Sequence, residues 1–164
     1  MNVSAEQAHQ INQLVQREGQ LLDERDWSAW LDLYAPDTEY WVPMWADDGE
    51  PTRDPNSELS LIYYDSRSGL EDRVARIRDG RSAATTPRWR TTHIRSGPVC
   101  TREGDLLVAK FGWVTHAFRL GRTTTYHGRR TLWLSGTGAE LTIVRSHALV
   151  TNDVIDQVLD IYNI

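Results

Sequence analysis

The sequence holds one cysteine, Cys100. That excludes an internal disulfide, a CxxC redox pair and any cysteine-ligated zinc or iron–sulfur cluster within the chain. A nucleophilic thiol needs a basic partner to depress its pKa, and no local pattern identifies one. Cys100 therefore reads as a small, half-buried apolar residue on a strand. Lysine is almost missing as well, since 17 of the 18 basic residues are arginine and Lys110 stands alone. Positive charge is in deficit: 23 acidic against 18 basic residues leave a net charge of −5. A general nucleic-acid binder needs a net cationic face and is excluded on that ground. Long hydrophobic runs are absent too, with no window near the roughly 18 apolar residues of a membrane span. The opening MNVSAEQAHQ lacks a basic-then-apolar signal pattern, so a cytoplasmic location is expected. The sequence has no repeat, no low-complexity segment, no phosphate-cradling glycine loop and no serine nucleophile elbow.

What is present fits a single domain over residues 1–164, with ordinary apolar (40%) and charged (25%) fractions. Tryptophan is plentiful at seven. Trp and Arg are the residues that recur at interface hot spots, one through buried area and the other through its planar fork.

Ser4 and Gln7 have capping-box spacing, and Ala8, Ile11, Leu14, Val15, Leu21 and Leu22 keep a helical stripe to about Arg25. Asp26 caps a second, short helix in which Trp27, Trp30, Leu31 and Tyr34 share a face, and Pro36 ends it. Strands are predicted at Thr38–Pro43 and, after a polar loop, at Glu58–Tyr64, the latter apolar enough to be covered on both faces. A third helix, capped by Asp65 or Ser66, turns Leu70, Val74 and Ile77 inward, pairs Asp72 with Arg76 outside and closes at Gly80. From Trp89 onward the pattern is strand and turn, with segments near 89–101, 106–119, 123–134 and 140–150. Gly112 and Gly128 are the expected bends in these long strands. Helices gathered first and strands last predict an α+β fold, N-terminal helices packed on one face of a curved, mostly antiparallel sheet. The order ααββαββββ resembles the cone-shaped α+β roll of nuclear transport factor 2-like and cystatin-like proteins. Some members of that fold use the hollow mouth as an active site and others fill it, so fold alone does not decide function.

Three histidines carry the sharpest chemical alternative. Folding about a turn near 121 sets His116 opposite about 126, and a turn near 137 sets His127 opposite His147, giving a cross-strand row. Such a row suits acid–base chemistry or, less readily, a metal, for which no HxH or HxxxH spacing is present. The bland alternative is that all three satisfy hydrogen bonds on a half-wet sheet face or at an interface. A second feature is the stretch from Arg67 to Arg95, which holds eight arginines: 67, 73, 76, 78, 81, 88, 90 and 95. It reads either as a salt-bridged surface or as a protein–protein interface, with anion binding the weaker reading.

The segment from Thr52 to His93 is the most specific. Its runs Asp54-Pro55, Ser60-Leu61-Ile62-Tyr63-Tyr64, Gly69-Leu70-Glu71-Asp72-Arg73-Val74 and Arg90-Thr91-Thr92-His93 resemble the β subunits of benzoate, toluate and anthranilate 1,2-dioxygenases. The Tyr40–Trp45 element and the ending from Asn152 to Tyr162 resemble the same group, so the likeness covers essentially the whole chain. Ala46, Asp79-Gly80 and Asn163 depart from its pattern. The resemblance implies a non-catalytic assembly subunit with no cofactor of its own, forming a trimer and an α3β3 hexamer. The partner α subunit would carry a Rieske [2Fe-2S] cluster and a mononuclear Fe(II), fed by an NADH reductase, to convert an aromatic acid, benzoate first, into a cis-dihydrodiol. The candidate interface residues are Trp41, Trp45, Tyr63, Tyr64, Arg73, Arg76 and Arg90. The rival is a stand-alone cone-fold lyase or isomerase using His116, His127 or His147. A scaffold outside any dioxygenase is the third reading.

Overall fold

The computed structural model describes residues 3–80 and 86–164; Arg81 lies outside them. Helix α1 (Ala5–Glu24) opens with a reciprocal capping box: Gln7 N donates to Ser4 Oγ at 3.1 Å and Ser4 N to Gln7 Oε1 at 3.0 Å. It buries Ile11, Leu14, Val15, Leu21 and Leu22 and stops where Arg25 enters the left-handed region at φ 58°. Helix α2 (Trp27–Asp32) is capped by Asp26, whose carboxylate accepts from Ala29 N, and buries Trp27 and Trp30.

Tyr34, expected on the helix, instead starts strand β1 (Tyr34–Pro43). Pro36 is not the helix terminator. It sits inside the strand, in the stretch between Tyr34 and Glu39 where the pairing register shifts, and there its missing N–H leaves no ladder bond unmade. Strand β2 (Ser60–Tyr64) pairs with β1 alone and buries only Ile62. It is an edge strand, not the doubly covered one its apolar run suggests. Helix α3 (Arg67–Asp79) buries Leu70 and Val74 and closes at Gly80 in the left-handed region. Ser66 is the N-cap residue, yet its hydroxyl bonds Ser68. The ion pair one turn apart on α3 is Arg67–Glu71, where spacing alone suggests Asp72–Arg76.

The run expected from 89 to 101 is two strands, β3 (Arg90–Arg95) and β4 (Val99–Glu103), split at Ser96-Gly97-Pro98. Both pair with β5 (Leu106–Arg119), which continues through a tight Leu120-Gly121 hairpin into β6 (Arg122–Ser135). Both hairpin residues take positive φ, 51° and 74°, the twist-matched geometry of a two-residue loop. A short 3-10 turn at Gly138–Glu140 leads to β7 (Thr142–Val150). The sheet order is β2-β1-β7-β6-β5-β3 with β4 beside β5, antiparallel except for the β1–β7 pair. Alternation along β5 turns Leu107, Ala109, Phe111, Trp113 and Ala117 toward the helices, where they join one core with the inner residues of α1, α2 and α3.

Candidate functional site

Inside the cone, where an enzyme of this shape would hold its substrate, lies a buried charge network. Glu18 falls within the apolar stripe of α1 and is 1% exposed. Its Oε2 accepts from Arg95 Nη2 at 2.7 Å, and its Oε1 from Arg130 Nη1 at 3.1 Å, Trp30 Nε1 at 3.0 Å and the Tyr34 hydroxyl at 3.1 Å. Arg130 also donates to Ser146 Oγ and to the Tyr34 hydroxyl, and Arg95 to the main-chain oxygen of Ile164. Burial pushes the Glu18 carboxyl up, but facing Arg130 and Arg95, with the Trp30 hydrogen bond, outweighs it and lowers the pKa to about 2. The group is a permanent carboxylate spoken for on both oxygens, so it has no proton to trade near neutral pH.

Inner-facing positions of β3 continue this lining outward. His93 Nδ1 shares a 2.5 Å hydrogen bond with Asp23, whose carboxylate also accepts from His93 N and from Thr91 Oγ1. Burial holds His93 below the ordinary imidazole value, although its hydrogen bond to the Asp23 carboxylate opposes this. Nε2 of His93 is buried without a partner. Nearer the rim a pocket of about 190 Å3 opens. Its walls carry Arg25, Arg78 and Arg88 with Trp27, Trp89 and Thr91, over a floor of Leu22, Ile77 and Tyr162. None of these nine described side chains is a carboxylate, a histidine or a cysteine, and burial pushes the pKa of the one phenol, Tyr162, up, so it stays protonated.

The sequence-predicted histidine row does not form. His116 pairs with Thr125, close to the expected register, but His147 lies opposite Thr131, four residues from His127. The 3-10 turn and an irregularity between Trp133 and Leu134 lengthen the β6–β7 connection beyond the simple turn assumed. All three side chains lie on the outer sheet face, each with a local partner. His116 Nδ1 bonds Thr125 Oγ1 at 2.9 Å, His127 Nδ1 bonds Thr151 Oγ1 at 2.6 Å, and His147 Nε2 bonds Glu39 at 2.5 Å between the edges of Trp41 and Trp133.

The seven candidate interface residues do not share one surface. Trp41 and Tyr63 are cross-strand partners on the outer face, with Trp45 near them, its Nε1 donating to Val150 O at 2.7 Å. Tyr64 faces inward beside Gly69. Arg73 forms a two-pronged pair with Asp160 of the same chain, one bond at 2.9 Å, and so anchors the C-terminal segment. Arg76 and Arg90 are exposed, the latter on the far edge strand. Cys100 is half-buried and burial raises its thiol pKa, so it stays protonated.

Sequence reasoning missed Glu18, Asp23 and Arg130. The available signal was Glu18 itself, an acid three residues after Val15 and three before Leu21 on the buried stripe. The groups implied by the family resemblance do not fit this chain. A Rieske centre takes two Cys and two His, and a mononuclear iron takes two His with a carboxylate. Here one cysteine is available, and each His–carboxylate contact, His93–Asp23 and His147–Glu39, has one histidine. Among the described residues no three His, Cys, Asp or Glu side chains converge.

A family model described as ring hydroxylating beta subunit matches residues 17–157. The chain is 44% identical over 155 residues to the anthranilate 1,2-dioxygenase small subunit of Acinetobacter baylyi, covering 94% of this chain and 95% of that one. Its fold matches the crystal structure of the benzoate 1,2-dioxygenase beta subunit of Burkholderia mallei, with a TM-score of 0.79 and 34% identity, over 100% of this chain and 99% of that one. A nuclear transport factor 2-like protein with a cystatin-like fold from Novosphingobium aromaticivorans, 20% identical over 89% of this chain and 82% of that one, shares the fold at a TM-score of 0.60.

Proposed function

Because this chain belongs to the ring-hydroxylating β-subunit family, as the β subunit of an aromatic-ring-hydroxylating dioxygenase, we propose that it serves that oxidoreductase without an active site of its own. The observation that carries this reading is the filled cone. Glu18, Arg95 and Arg130 occupy the space an active site would need, and they are saturated by one another. The larger α subunit then supplies the Rieske cluster, the mononuclear iron and the aromatic-acid pocket, with electrons from an NADH reductase in the cytoplasm. The β subunit's task is assembly: three copies form the base on which three α subunits sit. Benzoate is the first substrate to test. No helix among the described residues is long and apolar enough to cross a membrane. The lyase or isomerase reading is not favoured, since the three histidines are dispersed and face outward.

Co-expression with the α subunit tests this directly. A mass of three α and three β chains, with benzoate-dependent oxygen uptake only when both are present, is the expected result. Turnover of a small substrate by the β chain alone would overturn it. In the assembled enzyme, His116→Gln, His127→Gln and His147→Gln should each leave oxygen uptake within about threefold, whereas loss of a general acid or base costs about 10²–10⁴.

Self-association should use the outer face of β3 and β5, where Ile94 (52% exposed) lies beside Val114 and Phe118 is 42% exposed. Ile94→Asp places a charge in that apolar patch and should weaken association of the β chain by at least about tenfold while leaving its melting unchanged. Sedimentation at micromolar concentration reads the result. An unaltered mass would move the contact to the Trp41–Trp45 end of the sheet.

A further inference from the structure

The rim pocket is built for a ligand that the assembly role does not use. Arg25, Arg78 and Arg88 line it, and none forms an ion pair with a carboxylate among the described residues. Arg25 Nη2 donates to the Trp89 carbonyl at 2.6 Å and Arg78 Nη2 to the Ser28 hydroxyl at 2.9 Å, both uncharged acceptors. Arg88 makes no hydrogen bond or ion pair among the described residues. In a chain of net charge −5, three cations converging on one hollow without a counter-charge ask for an anion. The indoles of Trp27 and Trp89 stand in the same walls, so the anion must also present an apolar, flat body. The size is restrictive: about 190 Å3, against the roughly 150 Å3 cavity that holds a benzene ring.

We infer that this pocket is a binding site for an aromatic monocarboxylate of one ring, its carboxylate held by Arg88 and Arg78 and its ring between the tryptophans. A guanidinium fork matches a carboxylate through two parallel hydrogen bonds, and a partly dry wall strengthens them. Thr91 cannot act as a base, because its hydroxyl is committed to Asp23 at 2.9 Å. The ligand is therefore bound and released unchanged. The choice of benzoate as the probe rests on the function proposed above; the demand for a flat anion rests on the pocket alone.

The test is equilibrium dialysis of benzoate against the β chain, followed in parallel by tryptophan fluorescence. One site per chain is expected, with benzamide (the same ring, uncharged) and acetate (the same charge, no ring) each weaker by about tenfold or more. Arg88→Ala and Arg78→Ala should each weaken benzoate by about tenfold, with the melting temperature held, since both side chains are exposed. The same titration on the α–β complex shows whether the site stays open in the assembly, and closure there would overturn a role in the working enzyme. No saturation below roughly 10 mM, equal binding of benzamide, or displacement by inorganic phosphate at matching concentration would each overturn the proposal. Assembly with the α subunit is measured separately, so failure here leaves that reading standing.

Discussion

Replacing Glu18 by glutamine should lower the melting temperature of the β chain by about 6–20 °C. The substitution keeps the shape and removes the one negative charge shared by Arg95 and Arg130, both 0–1% exposed at the side chain. Stripping a buried ion pair of one partner costs about 3–5 kcal/mol, because the remaining charge stays desolvated. For a chain of this length each kcal/mol shifts melting by about 2–4 °C. The exposed pair Arg17–Glu24 is the control, and Glu24→Gln should move melting by no more than a degree or two, since such pairs are worth about 0–1 kcal/mol. The pH dependence has a definite sign. The Glu18 pKa falls from 4.5 to about 2 on folding. Its stabilisation is thus fully present above about pH 4.5 and is lost as pH falls toward 2. The gap between the wild type and Glu18→Gln should narrow on acidification below pH 4.5. A constant gap across that range would show that the carboxylate's charge is not what holds the network.

The second large effect belongs to Gly128. A Cβ there would stand 1.8 Å from the carbonyl oxygen of Leu149, which is backbone of the neighbouring strand and unable to swing aside, and 3.2 Å from Trp113 Nε1. Gly128→Ala must therefore separate β6 from β7 or shift their register, at a cost of about 3–5 kcal/mol. We expect mostly insoluble protein, or a soluble fraction melting at least about 10 °C lower. Gly112→Ala is the matched control: its nearest contact is Ser96 Oγ at 3.7 Å, ordinary packing distance, and it should cost no more than about 1 kcal/mol. Equal tolerance at both positions would mean that the two strands are not pressed together at Gly128.

Both glycines look alike in the sequence, each set within a long strand, and periodicity gives no means of ranking them. The difference is the distance to a neighbouring backbone, which only the sheet register sets. The same boundary runs through the rest of the chain. Ser4–Gln7, Asp26 and Gly80 announce helix ends because their bonds are local. The spacing of Tyr34 from Trp27 and Trp30 fits a helix face, yet pairing with β7 claims it. The histidine row failed for a related reason: a register error of a few residues in one connection moves a side chain by more than a hydrogen bond can span. The rim pocket is not legible in the sequence, since its parts come from the α1–α2 junction, α3, the start of β3 and the C-terminal Tyr162, far apart in the chain. The family was legible from the Thr52–His93 segment, although the charge network inside the cone was not. That network centres on Glu18, whose partners lie on strands the helix meets only in three dimensions.

Those partners are distant along the chain as well, 77 residues away for Arg95 and 112 for Arg130. Until β3 and β6 have been laid into the sheet, a half-formed cone would trap unpaired charge, so water has to stay inside it. The dry centre therefore closes only once both strands are in place. Its interactions weigh on the rate of unfolding far more than on the rate of folding. A subunit whose work is to hold others in place gains from that arrangement, because a core that opens slowly keeps its outer faces fixed for as long as the assembly lasts.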